Sequence, residues 1–354
     1  MDRGLIFPSL GILLIGLLAL GGISLSFLSS QLVFLGVGLI AFWWFSRFDY
    51  LNHQYLLKHY AVGGLVLLLL PFLFGVVTRG AVRWIPLGSF TLQPSEIIKP
   101  FFILILAWFL SHSAEKLARW KTGLTYLVLL AVPALLIFKQ PDLGSTLVVG
   151  AIWLTMLLLS KAPKTYLVIL LLLGGAILPI SNRFLADYQK QRLISFINPY
   201  ADPKLSGYQV IQSVIAVGSG GLWGRGLGHG FQTQLNFLPE RQTDFIFATI
   251  AEELGLVGAG VLIVLYVLLL LRLLTIASKT SDSFSYLIVI GVFGLMISQG
   301  MVNIGMNLGL MPITGVTLPL VSSGGSSLLT TLICLGLAHN ISLRQTKDSP
   351  LEIR

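Results

Sequence analysis

The chain has 354 residues, of which 55% are hydrophobic and only 10% charged, with a formal net charge of +9. Soluble domains carry about 25% charged residues, and no soluble fold hides this much apolar surface, so the bilayer is the solvent. The positive balance therefore reads as attraction to anionic lipid head groups, the membrane's own or a lipid substrate's, and not to nucleic acid.

Taken in chain order, about ten segments are apolar enough to span. They are 5–28, 32–45, 60–77, 96–110, 123–138, 143–159, 166–180, 245–271, 284–308 and 316–341. The start, Met1-Asp-Arg and an apolar run, has no small-residue cleavage site and reads as the first span, not a signal peptide. The expectation is one all-α integral-membrane domain, residues 1–354. Its one long extracytoplasmic loop, 182–244, falls between the seventh and eighth spans. The single cysteine, Cys334, lies in an apolar run and excludes a disulfide framework. The five histidines are scattered without metal-ligand spacing, so no metal site is expected.

Orientation follows from the basic residues of short loops. Both termini and the even-numbered breaks hold most of them, including Arg47, Lys116, Arg119, Lys161, Arg272 and Lys279. Both termini are therefore expected in the cytoplasm and the long loop outside. The third break, 80–93, carries Arg83, Trp84 and Phe90 and is expected along the interface. In the long loop, 188–197 reads as a basic amphipathic piece at the head groups.

Ionised side chains inside a membrane cost about 2.5–3.5 kcal/mol each on insertion scales, so each needs a reason. Glu96 and Lys99, three apart, share one helix face. They read either as a local ion pair or as a polar patch at a cavity mouth. Asp142 reads as the cap of the sixth span, and Lys139 beside it is placed to meet a phosphate. Asp244 stands at the outer end of the eighth span, where water, substrate and a helix N-terminus meet. Glu252 and Glu253 after it point to different faces and read as structural. Gln299, Asn303 and Asn307 make one polar stripe, either interhelical hydrogen bonds or a wet wall. The run 218–230 is glycine-rich, but no strand precedes it and no Gly-Lys-Ser/Thr ends it. It reads as a tight outer loop carrying Arg225. The glycines and serines of 319–327 interrupt the tenth span and permit close packing or a broken helix.

These residues bring a resemblance. The stretch from Asn303 to Ser327 resembles the signature of the SEDS family (shape, elongation, division and sporulation), whose members are bacterial cell-wall glycan polymerases. Further matches are 80–84, 93–99, 140–144, 207–213 and 238–248, in order along the chain. Ser323 stands where tyrosine is common. Within the family, 187–192 and the Glu240-Arg-Gln-Thr-Asp244 loop end resemble the elongation branch more than the division branch. The resemblance implies a ten-span peptidoglycan glycosyltransferase of the bacterial cytoplasmic membrane, serving elongation and rod shape. Its substrate would be lipid II, the undecaprenyl-pyrophosphate-linked disaccharide-pentapeptide, joined to a lipid-linked nascent glycan. The essential aspartate would fall on Asp244, and the fourth-span acid and base on Glu96 and Lys99. The implied partners are a class B penicillin-binding protein, which crosslinks the strands, and other elongation-complex membrane proteins.

The implied chemistry suits the residues. An α-linked donor giving a β-linked product inverts, so the acceptor hydroxyl needs a base opposite the leaving group, and Asp244 is the best-placed carboxylate. The departing pyrophosphate needs positive charge. Lys99, Lys139, Arg83, Arg192, Arg225 and Arg241 are the candidates, with Asp142 and Glu96 beside them at the substrate. No tightly bound cofactor is expected; a divalent cation, Mg²⁺ or Mn²⁺, would be held through the pyrophosphate. A lipid II flippase and a non-catalytic scaffold for a transpeptidase are the alternatives.

Overall fold

A computed structural model describes residues 2–78, 81–88, 90–170, 172, 187–201 and 206–348. The helices are α1 (Arg3–Ile23), α2 (Leu25–Arg47), α3 (His53–Phe74), α4 (Pro94–Ser113), α5 (Trp120–Lys139), α6 (Leu143–Leu158), α7 (Asp187–Ile197), α8 (Ser206–Ser219), α9 (Phe231–Gln234), α10 (Ile246–Ser278), α11 (Ser283–Asn307) and α12 (Gly325–Asp348). Among the described residues, eight helical segments are long and apolar enough to cross a membrane, and α6 is a shorter apolar one. This is the multi-pass helical class expected. The seventh expected span, 166–180, begins helically over 164–170 and for the rest lies almost wholly outside the described residues.

Local chemistry sets the boundaries. Side-chain oxygens of Asp2, Asp142 and Asp282 accept from the backbone N–H groups of Leu5, Ser145 and Ser285 at 3.3, 3.1 and 2.9 Å. Each satisfies a donor that the first helical turn leaves open. The chain between the first two spans turns on a single extended residue, Ser24 (φ −169°, ψ 139°), whose hydroxyl caps α2 through Ser26. Residues 29–31, expected as a break between spans, are therefore helical, and α2 is longer than expected.

The third break is not a plain interfacial segment. It folds into an antiparallel sheet, β1 (Val76–Thr78), β2 (Ala81–Leu87) and β3 (Phe90–Leu92), in the order β1-β2-β3. Phe90 meets Phe34 of α2 edge to face, with ring centroids 5.0 Å apart. The last span also begins later than expected. Residues 308–324 run irregularly between α11 and α12, with left-handed φ at Gly309, Gly315 and Leu320 (71°, 77° and 66°).

α10 contains a break at Gly255 (φ 69°, ψ −168°). The glycine-rich loop fills it. Arg225 and Gly226 donate to the carbonyls of Glu252 and Glu253 at 3.0 Å, and Leu256 donates to Gly221 at 2.9 Å. Glycine is required here, because a Cβ at Gly224 would sit 2.1 Å from the Glu253 carbonyl oxygen. The piece after the break, 256–278, still reaches about 34 Å, enough to span.

The core lies around α11 and α12. In α12, 89% of the apolar stretch is buried, against 11% in α2 and in the segment containing α3. The outer helices therefore present apolar faces to lipid, while the inner ones carry the buried polar groups.

Candidate functional site

β2, β3, the residue that caps α4, the loop before α10, the 308–324 segment and the first turn of α12 converge on a cavity of about 510 Å³. Arg83, Trp84, Gln93, Glu240, Thr243, Asp244, Thr317, Ser323 and Ser326 are among the residues that line it.

Asp244 is held there by its backbone. Glu240 adopts a left-handed φ of 58°, and its carbonyl accepts from the N–H groups of Thr243, Asp244 and Phe245 at 3.1, 3.1 and 3.2 Å. The Asp244 carbonyl in turn accepts from Asn303 and Asn307 Nδ2 at 3.0 and 2.9 Å. Asn303 also donates to the Val316 carbonyl at 2.8 Å, and Asn307 Oδ1 accepts from Ala248 N at 3.0 Å. The polar stripe of α11 is thus a clamp that fixes the last turn before α10 and leaves the Asp244 side chain at the cavity. Gly315, at φ 77°, lies against that side chain, and a Cβ there would be 3.5 Å from Oδ2.

The opposite wall is tied as firmly. Ser322 donates to the Thr243 carbonyl at 2.7 Å, and Ser323 N donates to the Gln242 carbonyl at 2.8 Å. Gln31 of α2 donates to the Ser322 carbonyl and accepts from Gly324 N, both at 3.2 Å. Asp142 joins cap and site. Its Oδ2 accepts from Gln93 at 2.8 Å and Ser95 at 3.1 Å, while Arg83 Nη1 lies 3.6 Å from Oδ1. Arg83 Nε is buried without a hydrogen-bond partner.

Glu96 and Lys99 form a direct ion pair, with side chains 6% and 0% exposed. Glu96 Oε2 has no hydrogen-bond partner. The pair lies beside the cavity and does not line it. Lys139 is exposed at the end of α5. Arg192 donates to the Ile313 carbonyl at 3.0 Å. Arg241 donates to the Thr233 carbonyl and to Asn236 Oδ1; burial draws its pKa down, opposed by the charge of Glu253. Arg225 is exposed, its guanidinium 5.0 Å over the Phe231 ring. The structure therefore brings Asp244 and Arg83 into one cavity, with Asp142 attached through Arg83, and sets Lys139, Arg192, Arg225 and Arg241 outside its lining. Glu252 accepts from Gln232 N, Thr233 N and the Thr233 hydroxyl at 2.8, 3.1 and 2.7 Å, and Glu253 accepts from Gly228 N at 3.1 Å. Both carboxylates thus make buried contacts to the outer loop. Among the described residues no group of three His, Cys, Asp or Glu side chains is arranged to hold a metal ion.

Sequence reasoning passed over Gln31 and Glu240. A glutamine inside an apolar run was the available signal for the first; for the second there was none, since its backbone conformation is not written in its side chain.

Residues 10–347 match the sequence profile of the FtsW/RodA/SpoVE family of cell cycle proteins. The chain belongs to this family. It is 43% identical over 278 residues to the peptidoglycan glycosyltransferase MrdB of Escherichia coli K12, covering 78% of this chain and 75% of that one. It is 38% identical over 331 residues to the probable peptidoglycan glycosyltransferase FtsW of Geobacter metallireducens, covering 92% and 86%. It is also 38% identical over 328 residues to the stage V sporulation protein E of Bacillus subtilis, covering 90% and 87%. Two solved structures superpose over nearly the whole chain. One belongs to work on the structural coordination of polymerization and crosslinking by a peptidoglycan synthase complex (TM-score 0.84, 34% identity, 98% and 99% covered). The other is the rod shape determining protein RodA of Thermus thermophilus (TM-score 0.73, 30% identity, 98% of both chains). The resemblance read from the motifs is borne out, on the RodA side as well as the FtsW side.

Proposed function

We propose that this protein is a peptidoglycan glycosyltransferase that polymerises glycan strands in cell elongation, taking lipid II as its building block. The observation that carries the reading is the Asp244 carboxylate, held by its backbone at the rim of a polar cavity that also contains Arg83, in a chain whose relatives bear that enzyme's name. The basic residues of the short loops support cytoplasmic termini and a site on the outer face.

In the reaction, Asp244 accepts the proton of the attacking sugar hydroxyl as the new glycosidic bond forms with inversion. The bond from the donor sugar to its pyrophosphate breaks, and Arg83 receives the developing negative charge. Asp142 orients Arg83. Lys139, on the outer end of α5, is the second cation we assign to the pyrophosphate. Mg²⁺ or Mn²⁺ would bind through pyrophosphate oxygens and one carboxylate, the pattern usual for Mg²⁺. A class B penicillin-binding protein is the crosslinking partner we expect, alongside other elongation-complex membrane proteins.

The test is polymerisation of purified lipid II in detergent by wild type, Asp244→Asn and Asp244→Ala. Wild type makes polymer, and both variants lose it by about two orders of magnitude or more while eluting as folded protein. Wild-type rates from both variants would remove Asp244 as base. Absence of polymer from wild type, alone and with its partner, would favour the flippase or scaffold reading.

A further inference from the structure

A second cavity, about 250 Å³, opens among α3, α4 and α5. It is lined by Gly64, Leu65, Leu68, Ile98, Phe102 and Val132 among others, with almost no polar surface. Its ceiling is different. The Leu68 carbonyl accepts from Gln140 Nε2, Gln140 precedes Asp142 by two residues, and Asp142 meets Arg83 at 3.6 Å. Gln140 is 1% exposed and its Oε1 has no partner; Arg83, in the wall of the first cavity, has a buried Nε without one either. Buried polar atoms of this kind are rare without an unfilled role. Lys139 completes the arrangement. It stands seven residues after Val132, so it projects from the same face of α5 about two turns, or 10 Å, further out. An apolar crevice below, with the cations Lys139 and Arg83 above it, fits an amphiphile with a phosphate at the junction.

We infer that this crevice holds the first isoprene units of the polyprenyl chain on the lipid-linked substrate, with its pyrophosphate lying between Lys139 and Arg83. This rests on the glycosyltransferase reading. At the ~30 Å³ that a water-sized group occupies, 250 Å³ takes about eight carbon-sized groups, between one and two isoprene units. The rest of the chain runs out into the bilayer.

The experiment places a photoactivatable benzophenone amino acid at Leu65, in the crevice, and at Val66, exposed on the side of α3 turned away from the crevice lining. Proteoliposomes with excess phospholipid receive increasing radiolabelled lipid II. Capture at Leu65 saturates and is competed by unlabelled lipid II, whereas capture at Val66 rises linearly. As a second arm, Gly64→Leu fills the crevice; a Cβ there meets nothing closer than Ile98 Cγ2 at 3.8 Å, so the backbone need not move. It raises KM for lipid II about tenfold and leaves kcat unchanged. Linear capture at both positions, or saturation equally competed by a plain phospholipid, overturns the assignment, as does an unchanged KM in Gly64→Leu. Wild-type polymerisation is measured in the same preparation. If polymer forms while capture is linear, this inference alone fails; if wild type makes none, the glycosyltransferase reading fails with it.

Discussion

The Glu96–Lys99 pair offers the sharpest energetic test. Both side chains are nearly sealed from solvent, at 6% and 0% exposure, and they neutralise each other within one helix turn. Lys99→Met keeps the stem but strands the carboxylate. Removing one partner of a buried pair costs about 3–5 kcal/mol. An independent figure agrees. A stranded carboxylate escapes by taking a proton, and for an ordinary glutamate at pH 7 that costs about 3.7 kcal/mol, from 2.7 units at 1.36 kcal/mol each. Glu96→Gln strands the ammonium with a similar loss. The double variant Glu96→Gln/Lys99→Met leaves no charge, and swapping a buried pair for neutral groups of like volume is close to neutral. Unfolding by SDS titration in mixed micelles, with lipid II polymerisation on the same samples, reads both quantities. Each single variant loses about 4 kcal/mol, and the double loses about 1. Single losses below about 1 kcal/mol, or a double loss equal to the sum of the singles, would refute the buried, coupled pair. Activity that returns with stability in the double variant assigns the pair to architecture. Activity that stays lost assigns it to the neighbouring cavity.

Three further outcomes follow from the same contacts. Asn307→Leu removes one of two donors to the Asp244 carbonyl and leaves Ala248 N unpaired, costing about 1–3 kcal/mol; kcat for lipid II falls while KM holds, which steady-state kinetics will show. Gly224→Ala places a methyl 2.1 Å from the Glu253 carbonyl at φ 80°, so the loop must leave the α10 break; a loss above about 3 kcal/mol and new protease cuts within 218–230 are expected. Burial pushes the Asp2 carboxyl up, but hydrogen bonds from Arg272, at 2.8 and 3.0 Å, and from Ser342 outweigh it and hold its pKa below the usual value. The folded value is therefore lower than the unfolded one. The stabilisation is complete above about pH 4 and disappears as pH falls through the folded value, and Asp2→Asn removes that acid limb from the unfolding curve.

Motifs that act within a few residues were legible from the chain alone. Asp142 reads as a cap because the donor it satisfies is three residues away. Asn303 and Asn307 read as one face because helical periodicity is local. What they hold was not legible, since Asp244 lies 59 residues before Asn303 and the clamp needs α10 and α11 side by side. The cations show the same limit. Lys139, Arg192, Arg225 and Arg241 all fall on the outer side by the loop rule, as Arg83 does, yet only Arg83 reaches the cavity. Hydropathy reports depth but not angle about the bundle. The sheet was missed because three short strands with arginine and tryptophan carry no clear alternation.

The enclosure of α12 bears on how the protein comes into being. Its most shielded helix follows all its neighbours along the chain, so a ribosome delivers the central post after the walls. Until then the Gln31 side chain lacks the Ser322 carbonyl and Gly324 N–H that later pair with it, and the Glu96 carbonyl lacks the Thr330 hydroxyl. Chains stalled before residue 322 should therefore be recognised as incomplete by membrane quality control, however well their first helices have inserted.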